Sequence, residues 1–455
     1  MRRGGAFWVA VCLGLGCGAG VDSGEPPPSV GLQVQEQRTV RGATRHVRPL
    51  KGSIFGRTVG VDRQGNAFVS LAYERDDVDL GGGALPGSAG LALAKYAPDG
   101  QHLWSRGFPI YGGVRPTVSA MAVDAAGNLY VSGEHREPTL SLGGEPLPAG
   151  AFLAKYAPDG THLWSHPVAL QGVAMQSPSA LAVDERRKQL VVAVNFKDPG
   201  RPVGAALVGR VRLEDGVLLA VKPVVRSGSL AVTALALDSS GNIALAGSFL
   251  GRVDLGGEPL STVRARSPFL ARFTPELGHL WSRGLSDAEG TATGVAVDGE
   301  RLFVVGEYSG GFVFQGQVRS AQGQDAFAAA YGLRGEERWV RHFAEGASAV
   351  GVDGEGRLVV TGQYRPGESA GGATLPFRSG GTPDNHLFVV KLYQGSGDPE
   401  WSRGLFSGGV LRAGALAVTR SGEVLLLSRL EGTTDVGTGP LSAPADSSVF
   451  LRFIR

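Results

Sequence analysis

Histidines that precede a tryptophan by two positions are the first side chains in this sequence that suggest chemistry, because imidazole can ligate a metal or move a proton near neutral pH. They are His102, His162 and His279. Each occupies the same position in a repeated sequence unit, and copies of a repeat lie far apart in a folded chain. A residue that recurs in this way is most simply structural, so we expect no metal site and no catalytic role from these histidines.

A cluster of carboxylates at Asp76, Asp77 and Asp79 is the densest acidic group in the chain. Calcium loops also use closely spaced aspartates, but they need the D-x-D-x-D-G register and a spaced glutamate, which this segment lacks. We expect a solvated loop, with calcium binding as the alternative. No G-x-S-x-G, H-E-x-x-H or Walker glycine loop stands in its required context, so the sequence predicts no catalytic residue and no cofactor.

Basic residues recur once in most repeats, in a strand-like segment that ends just before a Pro-Asp-Gly-type turn. One hypothesis is a ring of charges that attracts anions. The other, which we favour, is that each aliphatic stem packs along its strand and the charged head reaches water or a nearby carboxylate. The set is interrupted by Ala330 and comprises Lys95, Lys155, Arg210, Arg272, Lys391 and Arg452.

The elements that must position these side chains form a repeat of four short apolar runs, seen most clearly over residues 118–168. An aspartate that ends the first run marks each copy, and its carboxylate is expected to bond the backbone of the following turn. A tryptophan in the fourth run is expected to pack between neighbouring copies. The markers are Asp62, Asp124, Asp184, Asp238, Asp298 and Asp353, with Thr419 in the last copy; the tryptophans are Trp104, Trp164, Trp281, Trp339 and Trp401.

Seven copies with four strands each, at a period of roughly 50–60 residues, predict a propeller. The seventh copy stops at residues 449–455, before its tryptophan strand, whereas His46–Leu50 resembles that strand. We therefore predict an all-β, seven-bladed β-propeller of four-stranded antiparallel blades over residues 41–455. An N-terminal strand completes the C-terminal blade and closes the ring, which removes an exposed sheet edge.

Composition and charge limit the classes of partner. Removing Arg2 and Arg3 with a leader leaves 42 basic residues (44 minus 2) against 42 acidic ones, so nothing steers the chain toward nucleic acid. The only two cysteines are Cys12 and Cys17, so no disulfide or thiol nucleophile is expected in the propeller.

The N-terminal segment predicts export. Arg2 and Arg3 precede an apolar run that is too short to span a bilayer, and the run ends in Gly16-Cys17. Residues 1–16 are expected to be a signal peptide that ends at a lipobox-like site, with Cys17 lipidated and residues 17–40 a flexible tether. The protein would then be anchored to the bacterial cell envelope, at the outer membrane or cell surface. The alternative is an ordinary signal peptide that leaves a soluble protein.

The D-x-x-G-N turn, the FLAKY–PDG–LW segment and the spacing between them resemble SBBP-type β-propeller repeats, which occur in bacterial surface proteins. The resemblance covers about residues 45–455. It implies a seven-bladed propeller and, for most members, no assigned activity.

Loops between the second and third strands differ from copy to copy, and functional residues usually lie on such loops over a rigid scaffold. We expect the segments 73–90, 134–150, 249–268, 308–325 and 363–385 to share one face that suits a protein, peptide or glycan partner. The candidate residues are Arg75, Arg115, His135, Arg136, Arg264, Arg266, Tyr308, Arg365, Asp384 and His386.

Three functions compete on these observations. The favoured one is a non-catalytic, monomeric envelope lipoprotein that presents a propeller face for binding or scaffolding. The second is a hydrolase or lyase acting on a polysaccharide or ester, which would need two carboxylates, or a histidine and a carboxylate, converging on one face. Candidates for it are Asp76, Asp384, His135 and His386. The third is a purely structural envelope component.

Overall fold

A computed structural model describes residues 44–50, 54–112, 116–168, 175–196, 204–285, 287–344, 346–364, 369–370, 373–375, 386–407, 409–435 and 440–453. These residues belong to one compact unit, which spans Val40–Arg455. Every regular element in the described ranges longer than a turn is a strand, and none of them is a helix that could cross a membrane. The chain is all-β, as predicted.

The first three blades are antiparallel four-stranded sheets whose strands follow one another from the propeller axis outward. The chain enters through β1 (Thr44–Leu50), which belongs to the last blade. Blade 1 contains β2 (Ile54–Val61), β3 (Ala67–Tyr73), β4 (Gly90–Tyr96) and β5 (His102–Pro109). Blade 2 contains β6 (Thr117–Val123), β7 (Leu129–Leu140), β8 (Leu147–Tyr156) and β9 (His162–Val168). Blade 3 contains β10 (Met175–Asp184), β11 (Gln189–Phe196), β12 (Ala205–Arg212) and β13 (Leu218–Pro223).

The remaining four blades repeat the plan. Blade 4 contains β14 (Ser227–Leu237), β15 (Ile243–Asp254), a short β16 (Leu260–Ser261), β17 (Ser267–Phe273) and β18 (His279–Gly284). Blade 5 contains β19 (Ala288–Asp298), β20 (Arg301–Phe314), β21 (Gln317–Gly332) and β22 (Glu337–Ala344). Blade 6 contains β23 (Gly346–Val352), β24 (Leu358–Gln363), a β25–β26 pair (Ser369–Ala370, Ala373–Thr374), β27 (His386–Leu392) and β28 (Pro399–Phe406). Blade 7 contains β29 (Leu411–Val418), β30 (Val424–Asp435) and β31 (Pro440–Phe453), with β1 as its outer strand.

The ring is closed as predicted. The innermost strand of each blade lies against the innermost strand of the next, and β29 of blade 7 lies against β2 of blade 1. β1 pairs antiparallel with β31, with His46 opposite Arg452 and Leu50 opposite Ser448. The seven-bladed β-propeller closed by an N-terminal strand is therefore confirmed.

The middle strands carry the core because each is covered by a neighbouring blade on both faces. Every residue of β3, β4, β17 and β27 is buried. Strands buried on both faces are near-continuous apolar runs rather than alternating ones. This burial explains why the FLAKY-like segments gave so strong a repeat signal.

A β-bulge recurs at one position of every innermost strand, where one residue is left unpaired against the second strand. Bulges bend a strand and increase its twist. In blades 4 and 5 the bulged residues are Thr233 and Thr293. Their hydroxyls donate hydrogen bonds to Ala292 O (2.5 Å) and Ala347 O (2.6 Å) of the next blade. The bulge thus also joins adjacent blades near the axis.

Backbone N–H groups of the turn between first and second strands donate to five of the six marker aspartates, as predicted, namely Asp62, Asp124, Asp184, Asp238 and Asp353. Asp62 Oδ1 accepts hydrogen bonds from the backbone N–H groups of Gln64 (3.0 Å) and Asn66 (2.8 Å), and Oδ2 accepts one from Asn66 Nδ2. The same set forms at Asp124 and Asp238. In the last copy the Thr419 hydroxyl accepts from the backbone N–H of Glu423 instead.

The tryptophans pack between blades, as predicted. Trp104 Nε1 donates to Pro158 O (3.0 Å) in the next blade, and a Cβ on Gly160 there would lie 2.8 Å from the indole ring. Gly160 has a φ of 82°, so the turn needs glycine both for its conformation and for the close approach. Trp164, Trp281 and Trp339 donate to the next blade in the same way.

The repeated histidines pack against aromatic rings in three separate blades. His102, His162 and His279 lie edge-on to Tyr96, Tyr156 and Phe273, with ring centroids 5.7–5.8 Å apart. Burial lowers the pKa of His162 and of His279, which favours the neutral ring.

Candidate functional site

One face of the propeller carries the hairpins between second and third strands and the connections between blades. We call it the hairpin face. The sequence predicted long loops over residues 134–150 and 308–325 here, but strands extend far into both segments. In blade 5, β20 continues to Phe314 and β21 begins at Gln317. In blade 2, β7 continues to Leu140 and β8 begins at Leu147. Paired backbone satisfies its own hydrogen bonds, so extended hairpins replace loops.

Three candidate residues consequently lie in strands with buried side chains. His135 is on β7, Tyr308 on β20 and His386 on β27, and each is less than 3% exposed. The Tyr308 hydroxyl hydrogen-bonds His342 Nδ1 at 2.7 Å, and burial raises the pKa of Tyr308 to about 12. Their placement fits packing within a blade rather than contact with a ligand.

Other candidates lie on separate blades or outside the described residues. Arg75 is exposed on blade 1 and pairs with Asp77 at 2.8 Å. Arg136 is exposed on blade 2. Cys17, Arg115, Arg365 and Asp384 lie outside the described residues.

The structure brings three candidates together at the seam between blades 4 and 5. Arg264 and Arg266 come from the blade 4 hairpin, and Tyr308 contributes backbone from β20. Arg264 Nε donates to Asp287 O (3.0 Å), and the backbone N–H of Gly290 donates to Arg266 O (2.9 Å). These bonds fix the blade 4 hairpin against the start of β19.

A pocket of about 380 Å³ opens at this seam on the hairpin face, and we call it the blade 4–5 pocket. Its volume lies within the range of roughly 300–1,000 Å³ that small-ligand sites occupy. Apart from Ala265 and Gly290, its lining consists of polar or charged residues and the backbone of Tyr308. The polar side chains are those of Arg266, Glu289, Thr291, Glu307, Ser309 and Gln324.

Strand register explains why the polar side chains of blade 5 converge. Glu289 of β19 lies opposite Ser309 of β20, and Thr291 lies opposite Glu307. Residues that pair directly, and those two positions along, project from the same face of a sheet. Gln324 of β21 lies opposite Ser309 and donates its Nε2 to Glu307 Oε2 at 2.8 Å. Two carboxylates, two hydroxyls and an amide therefore form one surface.

Arg266 adds the opposite charge from blade 4. It is exposed at the pocket rim, as is Glu289, while Glu307 is half-buried. The pocket can thus donate through a guanidinium, an amide and two hydroxyls, and accept through two carboxylates. Sequence reasoning named Arg266 but missed Glu289, Glu307 and Gln324, because these residues lie in strands whose extent was not predicted.

The candidates for the enzyme hypothesis do not share a site among the described residues. Asp76 is on blade 1, His135 on blade 2 and His386 on blade 6. In the acidic segment, Asp77 pairs with Arg75, and Asp79 Oδ1 accepts hydrogen bonds from the backbone of Gly81 and Gly83. No three His, Cys, Asp or Glu side chains are grouped as metal ligands within the ranges that the structure covers.

Comparisons with known proteins concern the fold. No protein-family model matches the chain, and no curated protein matches it. Hydrazine synthase of Kuenenia stuttgartiensis is similar with a TM-score of 0.48 and 8% identity, over 87% of this chain and 95% of that one. The Dos1 propeller gives 0.45 and 8%, over 90% and 95%. BamB of Moraxella catarrhalis gives 0.39 and 12%, over 91% and 100%. Similarity this distant assigns no activity and no partner to this chain. The seven-bladed β-propeller is established by the strand topology described above.

Proposed function

We propose that this protein is a non-catalytic lipoprotein of the bacterial cell envelope whose hairpin face binds a glycan. The observation that carries the proposal is the blade 4–5 pocket. Its carboxylates, hydroxyls, amide and guanidinium are the groups that exchange hydrogen bonds with sugar hydroxyls. Its volume of about 380 Å³ suits one sugar ring and part of a second. A peptide partner is the alternative for the same surface.

The propeller supports this proposal by holding the pocket on rigid strands. Glu289, Thr291, Glu307 and Gln324 all come from strands of one blade, and the Arg266 side of the pocket is fixed by the Gly290–Arg266 backbone bond. Preorganised groups lose little conformational entropy on binding. A purely structural role would be better served by a face without a pocket.

Glycan binding can be tested on an array and quantified by calorimetry with the best ligand. We expect Glu307→Gln and Arg266→Ala each to lower the affinity roughly tenfold to a hundredfold, since a hydrogen bond to a charged group contributes about 1.5–3 kcal/mol. Glu145→Gln, an exposed glutamate on blade 2, is the matched control and should bind normally. Unchanged affinity in both pocket variants would exclude this site, and selective capture of peptides instead would favour the alternative.

A hydrolase remains the second candidate because Glu289 and Glu307 share one surface on adjacent strands. Glycosidases use a pair of carboxylates on either side of the scissile bond. The binding assay distinguishes the two functions when product release is followed in parallel. Cleavage that disappears in both Glu289→Gln and Glu307→Gln, while binding persists in at least one of them, would assign an enzyme.

The lipoprotein part of the proposal comes from the sequence, namely the basic residues Arg2 and Arg3, the apolar run and Gly16-Cys17. Residues 45–455 resemble SBBP-type repeats of surface proteins, which agrees with display at the envelope. Two or more acyl chains, at about 0.8 kcal/mol per buried methylene, would anchor the protein stably.

We predict that Cys17→Ala abolishes incorporation of labelled palmitate and moves the protein from the membrane fraction to the soluble fraction of bacterial cells. Cys12→Ala is the matched control and should leave both unchanged, because Cys12 lies inside the expected signal peptide. Full labelling of Cys17→Ala would show that the lipobox interpretation is wrong.

A further inference from the structure

The seam between blades 2 and 3 contains an apolar cavity of about 430 Å³, which we call the blade 2–3 cavity. Its lining includes Leu153 and Val168 of blade 2 and the blade 3 residues Val192, Leu207, Gly209 and Leu218. Val217, Leu218 and Val221 at its outer edge are 45%, 49% and 37% exposed. His166 and Pro167 of blade 2 are also exposed at the edge, whereas Leu153, Val192, Val194 and Val211 are buried within the seam, so the feature is a cleft between blades rather than a flat apolar patch.

Three of the other six seams fill this space with two aromatic rings. In blades 2, 4 and 5 the third strand presents an aromatic ring, an alanine and a second aromatic ring to the preceding blade. The triplets are Phe152-Ala154-Tyr156, Phe269-Ala271-Phe273 and Phe327-Ala329-Tyr331, all of them buried. Tyr156, for example, packs on Phe108 of blade 1 with ring centroids 5.9 Å apart.

Blade 3 has lost both rings of the triplet. The strand register places Arg210 opposite Ala220, as Lys155 lies opposite Trp164 in blade 2. At three residues before, one before and one after these basic residues, Leu207, Gly209 and Val211 occupy the positions of Phe152, Ala154 and Tyr156. The first residue of the fourth strand also differs, because Leu218 stands opposite Val211 where blade 2 has His162 opposite Tyr156.

The hairpin that covers the aromatic triplet is shorter in blade 3. In blade 2 the Tyr156 hydroxyl donates to Leu142 O (2.8 Å), and Gly143 and Gly144 lie against the His162 ring. Sixteen residues separate Glu134 from Ala151, whereas ten separate the equivalent pair Asn195 and Ala206. Blade 3 therefore has fewer residues for a cover as well as smaller side chains beneath it.

We propose that the blade 2–3 cavity binds a small molecule that carries one aromatic ring or two fused rings. A flat aromatic ligand matches this cavity in shape and chemistry, because aromatic rings fill the same space in three sister seams. A dry apolar cavity of about 150 Å³ is already enough for a benzene-sized ligand. His166 is the single titratable side chain in the lining and stands at the rim, where its Nε2 lies 2.8 Å from Asp215 O. A polar substituent on the ligand would point toward it and water.

Indole is the probe, with n-octanol as an aliphatic ligand of similar size, and binding to the full chain is followed by ligand-observed NMR and calorimetry. We expect indole to bind at least about tenfold more tightly than octanol, since flat rings match the space that rings fill elsewhere. Equal or tighter binding of octanol would overturn the aromatic assignment, and no saturable binding of either ligand would overturn the site.

Two variants locate the ligand. Val211→Tyr restores the ring of the sister blades and should abolish indole binding while raising Tm. Gly209→Ala should weaken binding severalfold without disturbing the fold, because its Cβ would have only ordinary contacts, with Leu218 at 3.6 Å. Val263→Tyr, at a site 96% exposed on blade 4, is the matched control and should bind indole normally.

Undiminished indole binding in both Val211→Tyr and Gly209→Ala would place the ligand elsewhere and refute the proposal. Light scattering after size-exclusion chromatography tests whether the cavity is instead an interface between two copies of this chain. A concentration-dependent dimer that Val211→Tyr abolishes would assign the cavity to a second copy of this chain and would equally refute a small-molecule site.

Discussion

At the scale of single residues, neighbouring blades are joined by pairs of donors that meet on one backbone carbonyl. Lys95 Nζ and Trp104 Nε1 both donate to Pro158 O of the next blade, at 3.2 and 3.0 Å. Lys155 with Trp164 and Arg272 with Trp281 repeat the arrangement on Leu213 O and Leu333 O. Lys391 and Arg452 also donate to carbonyls of the next blade, so five of the six repeated basic residues serve the seams between blades rather than an anion-binding ring.

In blades 1, 4, 6 and 7 the charge of the buried basic head is balanced by a carboxylate of the same blade, which favours the hypothesis that these heads reach nearby carboxylates. Lys95 Nζ lies 3.1 Å from Asp62 Oδ2, and both side chains are almost fully buried. Arg272 pairs with Asp238, and Lys391 with Asp353 at 2.8 Å. Blade 3 uses a different residue, because Arg187 in its first turn pairs with Asp184 and donates to Ser240 O of blade 4.

Lys95→Met tests the importance of this pairing. We expect it to lower the free energy of unfolding by about 3 kcal/mol, because it leaves the Asp62 carboxylate buried without its cation and removes a bond to blade 2. The measurement is the urea unfolding midpoint. The matched control is Arg75→Met, which breaks the exposed pair with Asp77 and should leave the midpoint near that of the wild type. Equal midpoints for the two variants would show that the buried pair contributes no net stability.

At the scale of elements, the sequence was most informative where local chemistry dictates local structure. The Asp-x-x-Gly-Asn turn was predictable because aspartate bonds its own turn and glycine accepts a positive φ, as Gly65 (82°) and Gly127 (85°) do. The buried third strands were predictable because they are continuous apolar runs. The β1–β31 pairing was predictable because His46–Leu50 resembles a strand that the last copy lacks.

Features that depend on pairing between distant strands could not be predicted from the sequence. The β20–β21 hairpin contains glycines and polar residues at both ends, which are also typical of loops, so its strands were missed. The blade 4–5 pocket depends on the register that places Glu289 opposite Ser309 and on a contact between two blades. Arg266 and Tyr308 were named as candidates, yet Tyr308 proved to be core because its hydroxyl finds His342 inside the blade.

At the scale of the whole molecule, the ring closes inside blade 7, which differs from the other blades in how its strands are connected. Blade 7 takes its outer strand from the other end of the chain, so it has no covalent turn between third and fourth strands. In blades 1, 2, 4 and 5 the tryptophan donates to the carbonyl of just such a turn in the next blade. Trp401 of blade 6 faces blade 7, and its Nε1 has no hydrogen-bond partner in the part of the chain that the structure describes.

Blade 7 is nevertheless joined to blade 1 by a basic side chain, although the acceptor lies in the turn between the first and second strands of blade 1. Arg452 of β31 pairs with Glu423 within blade 7, and its Nη1 donates to Gly65 O of blade 1 at 3.1 Å. β1 contributes a full edge of backbone hydrogen bonds on the outside of β31. The stability of the ring therefore depends on a strand pairing between the two ends of the propeller domain, which a crosslink can measure directly.

We predict that cysteines at Val47 and Leu451, in a chain with Cys17→Ala, form a disulfide on mild oxidation. The two residues lie directly opposite each other in the β1–β31 pair, where Cβ atoms are about 4.5–5.5 Å apart, close to the spacing that a disulfide needs. Val47→Cys with Leu426→Cys is the matched control. Leu426 faces Leu451 from the far side of β31, so two strand spacings, about 9.5 Å, separate it from Val47.

Non-reducing electrophoresis should show the crosslink only in the Val47–Leu451 cysteine pair. The Tm of that variant should rise on oxidation, because the bond holds together the one blade whose strands come from both ends of the propeller. Crosslinking in the control pair, or in neither, would contradict this closure of the ring.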